Sequence, residues 1–210
     1  MTENEGDKPG YHHGDLRGAL LKAARIILEE QGPRALTLRE AARRAGVSHA
    51  APRYHFASLR VFMADCAATG FDELAEHLTR AWAKADGDSD PEAGLSEMGM
   101  AYVLFAMRNR AVFRLMFDRD TYAAPTPILS TSGERSYSVL VSGVTALDPT
   151  VAPERIALAV STLWSLVHGF ATLILEGKID GPKPRQDVVG EQVAAAVRMF
   201  LPGYRAQSHR

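Results

Sequence analysis

Apolar residues recur along the chain at the three-and-four spacing of amphipathic helices, and no stretch alternates strictly as a half-buried strand would. A first helix is predicted from about Asp15 to Gln31, with Leu16, Leu20, Ala23, Ala24, Ile27 and Leu28 on one face and Gly32-Pro33 as its stop. Thr37-Leu38-Arg39-Glu40 reads as a capping box, in which Thr37 accepts from the Glu40 amide and Glu40 reaches back to the Thr37 amide. The helix it opens is short, because Gly46 follows after about two turns. Ser48 is then expected to cap a second short helix, His49 to His55, with Pro52 at an early position where a missing N–H does less damage. Ser58 caps a long helix that ends near Lys84, and Asp86 to Pro91 is a turn from which the next helix starts. More helices are predicted at about 91–108, 111–118, 128–146, 153–176 and 186–201, divided by Pro125, Pro127, Asp148-Pro149 and Gly181-Pro182. The pattern predicts an all-α fold of about nine helices: a three-helix helix-turn-helix head over residues 1–62 and a larger C-terminal helical bundle over residues 63–210.

Composition changes this picture little. A chain of 210 residues with 46% apolar and 23% charged positions is ordinary for a globular protein and excludes a disordered or collagen-like one. The single cysteine, Cys66, excludes a disulfide framework and a cysteine zinc finger, and is expected to be buried. The polar, acidic residues Met1 to Pro9 are unlike a signal peptide. No apolar run is expected to reach the roughly 18 uncharged residues of a membrane helix. The longest candidate, Ile156 to Leu175, contains Ser161, Ser165, His168 and Thr172 and is predicted as a buried helix, so a cytoplasmic protein without membrane contact is expected. Charge is uneven: ten Lys/Arg face four Asp/Glu between Lys8 and Arg60, while the remainder is mildly acidic. A basic head on an acidic body suggests that the head meets a polyanion.

The two short helices joined by Ala45-Gly46-Val47 have the pattern of a helix-turn-helix, whose turn needs a glycine that tolerates positive φ. Ala41, Ala42 and Val47 are expected inside. The second helix is short enough to lie in the major groove of double-stranded DNA. Thr37 and Ser48 are candidate phosphate donors at helix N-termini, with Arg39, Arg44 and Arg60 as further backbone contacts. His49 and Ala50 suit base edges; Arg53 and Tyr54 suit phosphates or a base edge. His55 and Phe56 are expected to turn inward.

The stretch Leu36 to Phe62, LTLREAARRAGVSHAAPRYHFASLRVF, resembles the N-terminal DNA-binding domain of the TetR family of transcriptional regulators. Tyr11-His-His-Gly-Asp-Leu-Arg17 looks like one subgroup of that family, which carries a Trp…His-Gly signature in its C-terminal domain; here Trp164 precedes Val167-His168-Gly169-Phe170. The resemblance implies an all-helical homodimer, two recognition helices on a pseudo-palindromic operator, a ligand cavity in the body and, in most cases, repression. The chain departs from the family pattern twice. Arg53-Tyr54 exchanges the tyrosine and arginine of the usual order, and Leu59 stands where a lysine usually holds a phosphate.

In the body, large apolar groups recur at helical spacing. Tyr102, Phe105, Phe117, Trp164 and His168 are the candidate lining of a cavity for a small apolar effector, although most such residues serve a core. The stripes Ile156, Val160, Leu163 and Val189, Val193, Val197 on the last two helices are the candidate dimer interface. Asp86, Asp88, Asp90 and Glu97 have the spacing of a calcium loop, but Pro91 replaces its glycine. No catalytic, phosphate-loop or dinucleotide motif occurs, so neither an enzyme nor a cofactor is expected. Two readings stand: a ligand-responsive regulator, or a helical ligand-binding or interaction protein on the same scaffold that no longer reads DNA.

Overall fold

The computed structural model describes residues 15–118, 126–179 and 184–208, with side chains as far as Tyr204. Tyr11 to Gly14 of the subgroup motif, Pro125 and Gly181-Pro182 lie outside the described residues. The described chain is helical throughout: α1 (Leu16–Gln31), α2 (Leu38–Arg44), α3 (Leu59–Lys84), α4 (Pro91–Arg108), α5 (Arg110–Phe117), α6 (Pro127–Leu147), α7 (Pro153–Leu175) and α8 (Gln186–Ser208). Two short 3-10 turns, Pro33–Ala35 and Ala51–Tyr54, complete it. The chain divides into two compact units at Phe62 and Met63.

In the first unit, Leu20, Ala24, Ile27 and Leu28 of α1 close over Ala41 and Ala42 of α2, and all six are buried. The Phe56 and Phe62 rings meet at a tilt with centres 4.6 Å apart, and the Arg17 guanidinium lies 5.8 Å from the centre of the Phe56 ring. Alanines at the α1–α2 contact let two short helices approach closely, and the two phenylalanines add large buried rings to the leucines of a small unit.

In the second unit α4 is the central helix. Its sequence is almost wholly apolar and small, and ten of its residues are buried, from Gly94 to Met107. α7 and α8 pack on it most closely at Gly99. A Cβ there would lie 2.9 Å from Val197 Cγ2 and 3.4 Å from Val167 Cγ1, so the glycine sets how near the helices come. Trp82 closes the α3–α4 corner, its indole N–H donating to Asp88 Oδ1 at 2.9 Å and its ring lying over Gly94. The acidic turn is committed in the same way: Asp90 caps α4 through the Ala93 amide, and Glu97 takes Lys84.

Three expectations about helix length need correction. α8 does not stop at Leu201 but continues through Pro202, which removes one ladder bond while Leu201 and Tyr204 on either side of it are buried. α7 carries no Asp, Glu, Lys or Arg from Ile156 to Leu175, so by length and composition it is long and apolar enough to cross a membrane, which the sequence reading had not expected of any run. A core helix passes the same test, yet only 39% of its most apolar stretch is buried within the chain. Third, the segment expected to form an α-helix from His49 to His55 is a 3-10 turn, for reasons that belong to the site.

Candidate functional site

The helix-turn-helix is built from local hydrogen bonds that its sequence dictates. Thr37 Oγ1 accepts from the Glu40 amide at 3.0 Å and starts α2. The other half of the expected capping box is absent, because both Glu40 carboxylate oxygens take the Arg43 guanidinium, at 2.6 and 2.7 Å. That hydrogen bond, foremost, and the Arg43 charge hold the Glu40 carboxyl below its ordinary pKa. α2 ends in a Schellman motif: the Val47 amide donates to the Ala42 carbonyl at 3.0 Å and the Gly46 amide to Arg43 at 3.2 Å, with Gly46 at φ +69°. An L side chain at Gly46 pays the left-handed penalty, so Gly46→Ala is expected to cost the head about 1 kcal/mol in a urea titration; an unchanged midpoint would show that the turn relaxes.

Beyond the turn, Pro52 has no N–H to give the Ser48 carbonyl, which instead accepts from Ala51 one residue earlier at 3.0 Å. That early bond tightens the segment into the 3-10 turn Ala51–Tyr54, and Ser48 does not cap an α-helix as expected. Pro52 itself is buried and Phe56 anchors the end, its amide returning to the Pro52 carbonyl at 2.9 Å.

The structure leaves Thr37, Arg39, Ser48, His49, Ala50, Arg53, Tyr54 and Arg60 exposed, Tyr54 at 85%. His55 is also exposed and not inward as expected. Arg44 differs from the other arginines, since its guanidinium meets Glu30 of α1 at 2.6 Å and is largely covered. It ties α2 to α1, while among the described residues Arg39, Arg53 and Arg60 have no ion-pair partner. Exposed, unpaired arginines around a short recognition segment can meet phosphates or guanine edges.

The second unit holds a cavity of about 660 Å³. Tyr102, Phe117 and Trp164 line it; Phe105 and His168 do not. Phe105 is buried to 1% against His77, ring centres 5.5 Å apart, and is core. His168 stands behind Tyr102: the Trp164 indole donates to the Tyr102 oxygen at 3.3 Å, and that hydroxyl meets His168 Nδ1 at 2.9 Å. Burial pushes the Tyr102 hydroxyl well above its ordinary range, against the Trp164 hydrogen bond, and lowers His168.

Sequence reasoning missed the walls supplied by Phe71, Leu74 and Leu78 of α3 and by Ser130, Gly133, Glu134 and Tyr137 of α6. Glu134 and Tyr137 lie one turn apart on a helix that also carries Arg135 and several serines, so nothing in the sequence set them apart. The expected dimer stripe is corrected outright. Val160, Leu163, Val189, Val193 and Val197 are at most 3% exposed within the chain, and Ile156 is half-buried. Side chains already packed inside one protomer have no surface to offer a second.

A basic helix-turn-helix and a separate helical unit enclosing an apolar cavity define a transcriptional regulator with a DNA-binding and a ligand-binding domain. Residues 20–63 match the family described as bacterial regulatory proteins, tetR family, and residues 95–198 match the tetracyclin repressor-like C-terminal domain. The chain belongs to the TetR family. A structure of a protein of unknown function from Rhodococcus sp. RHA1 is 32% identical, covering 96% of this chain and 100% of that one with a TM-score of 0.78. A protein from Mesorhizobium loti MAFF303099 assigned to the TetR family of regulators is 17% identical over 88% of this chain and 94% of that one, TM-score 0.69. A single-residue variant of TetR from Acinetobacter baumannii AYE, in complex with minocycline, is 19% identical over 91% and 97%, TM-score 0.61. No curated protein matches the chain by sequence.

Proposed function

We propose that the chain is a homodimeric, ligand-responsive repressor that binds a pseudo-palindromic operator in the cytoplasm and is released by a small, largely apolar effector. The observation that carries this reading is the 660 Å³ cavity, walled by aromatic and aliphatic side chains, in a chain whose other unit is a helix-turn-helix. That volume suits a drug-sized molecule, and the minocycline complex of a TetR neighbour supports such an occupant. Phe71, Leu74 and Leu78 put α3 against the occupant, and α3 also carries Arg60. A ligand that shifts this helix therefore has a covalent route to the DNA-contacting residues. The Tyr11 to Arg17 motif and the Trp164…His168-Gly169 signature support membership of the subgroup that bears both.

Thr37, Arg39, Ser48, His49, Ala50, Arg53, Tyr54 and Arg60 are the proposed DNA contacts, with Arg44 as the brace behind them. The test is fluorescence anisotropy of a labelled duplex from the upstream region of the protein's own gene, titrated at two salt concentrations. Binding should be tight and fall steeply with salt. Arg53→Ala should weaken it about tenfold and reduce the salt slope by about one. An unchanged affinity would remove Arg53 from the interface, and equal weak binding to a scrambled duplex would favour the ligand-binding protein that has lost its operator.

A further inference from the structure

The cavity is not evenly apolar. Most of its lining is leucine, methionine, valine and aromatic; Glu134 and Tyr137, one turn apart on α6, and Trp164 of α7 are among its exposed members. The Tyr137 and Trp164 rings are 6.0 Å apart at 66°, and Phe117 lies 6.4 Å from Trp164, so three aromatic rings line the same cavity as one carboxylate. Among the described lining residues Glu134 is the one carboxylate, and there is no Lys, Arg or His. Its neighbour Arg135 turns away to Asp72, at 3.5 Å, and no described residue pairs with Glu134.

Three polar hydrogens of the lining are already committed, while the Ser130 and Tyr137 hydroxyls can turn to donate or to accept. The Trp164 indole N–H goes to Tyr102, the Tyr102 hydroxyl meets His168, and Ser136 donates to the Gly133 carbonyl at 2.9 Å. An anion would meet a carboxylate, with no cation among the described lining residues to offset it. A cation finds the opposite: ring quadrupoles attract it, and Glu134 completes the neutralisation.

We infer that the effector is a lipophilic monocation, with its apolar body among the aliphatic side chains of the lining and its charge at Glu134, beside Tyr137 and Trp164. This rests on the reading of the cavity as the effector site. Calorimetric titration of the full chain tests it with three probes: tetraphenylphosphonium, its anionic isostere tetraphenylborate, and the neutral N-phenyl-1-naphthylamine. The cation is expected to bind at least about tenfold more tightly than the anion. Glu134→Gln, a swap at an exposed position, should remove about tenfold from cation affinity and leave the neutral probe within about twofold. Equal affinity for the two ions, preference for the anion, or a cation affinity indifferent to Glu134→Gln would overturn the inference; if the neutral probe still binds, the effector cavity stands. Failure of all three probes to bind would overturn both the inference and the assignment of the cavity.

Discussion

Truncating Phe105 to alanine is expected to lower the free energy of unfolding by about 3–5 kcal/mol. The ring is 1% exposed, lies in the interior of α4, and meets the His77 ring of α3 edge-on. Its removal takes away apolar burial and leaves a void between helices that cannot close without moving α4, on which α7 and α8 also pack at Gly99. Since a domain of this kind has only about 5–15 kcal/mol in hand, the variant should unfold at a much lower urea concentration, followed by circular dichroism at constant slope. Phe117→Ala is the informative partner. Phe117 lines the cavity and is only half-buried, so its loss should cost less stability and act instead on effector affinity. A Phe105→Ala variant losing under about 1 kcal/mol would show that α4 is not the rigid centre of the body.

The contrast between these two phenylalanines shows where the sequence was readable. Helix starts and stops were legible because their chemistry is local: Thr37, Ser58 and Asp90 each cap a helix through an amide three residues on, and Gly46 takes positive φ. The exposed residues of the recognition turn were legible for the same reason, His55 excepted. Pro52 shows the limit of that local logic. Its missing N–H was noticed, but the Ser48 carbonyl then found the Ala51 amide, and an expected α-helix became a 3-10 turn. Partner choice was not legible at all. An apolar stripe at helical spacing says that a face is covered and not by what, so Val189, Val193 and Val197 read equally well as interface or as core. For the same reason Phe105 and Phe117, twelve residues apart on neighbouring helices, could not be sorted into core and cavity wall. Glu134 carried the opposite signal, a charge where the surface is ordinarily charged, and only the fold put it on the cavity wall.

On the proposed homodimer, Leu158→Arg is expected to convert dimer to monomer. The inner stripes of α7 and α8 are used inside the protomer, so a dimer built on these two helices uses their outer faces. α7 has no charged residue from Ile156 to Leu175, yet Leu158 is 65% exposed and Leu173 43%, with Ala157 exposed beside the first and Ser161, Thr162 and Ser165 exposed between them. On α8, Met199 is 82% exposed. A solvent-facing helix without charge is costly for a lone protomer and suits a symmetric partner, because small residues let backbones approach and leucines fill the remaining space. An arginine buried there without a counter-charge costs about 3–5 kcal/mol, and twofold symmetry brings in two of them, so the dimer should weaken by at least about a hundredfold. Sedimentation equilibrium reads that change. Circular dichroism and melting of the monomer should stay near wild type, since Leu158 packs against little of its own chain. Operator affinity should fall with the dimer, because one head grips one half-site and a monomer loses the coupling between two. Val193→Ala supplies the opposite pattern: its side chain is fully buried, so it should cost about 2 kcal/mol of stability and leave the association constant of the folded fraction unchanged. A Leu158→Arg protein that remains a dimer would move the interface off the outer face of α7.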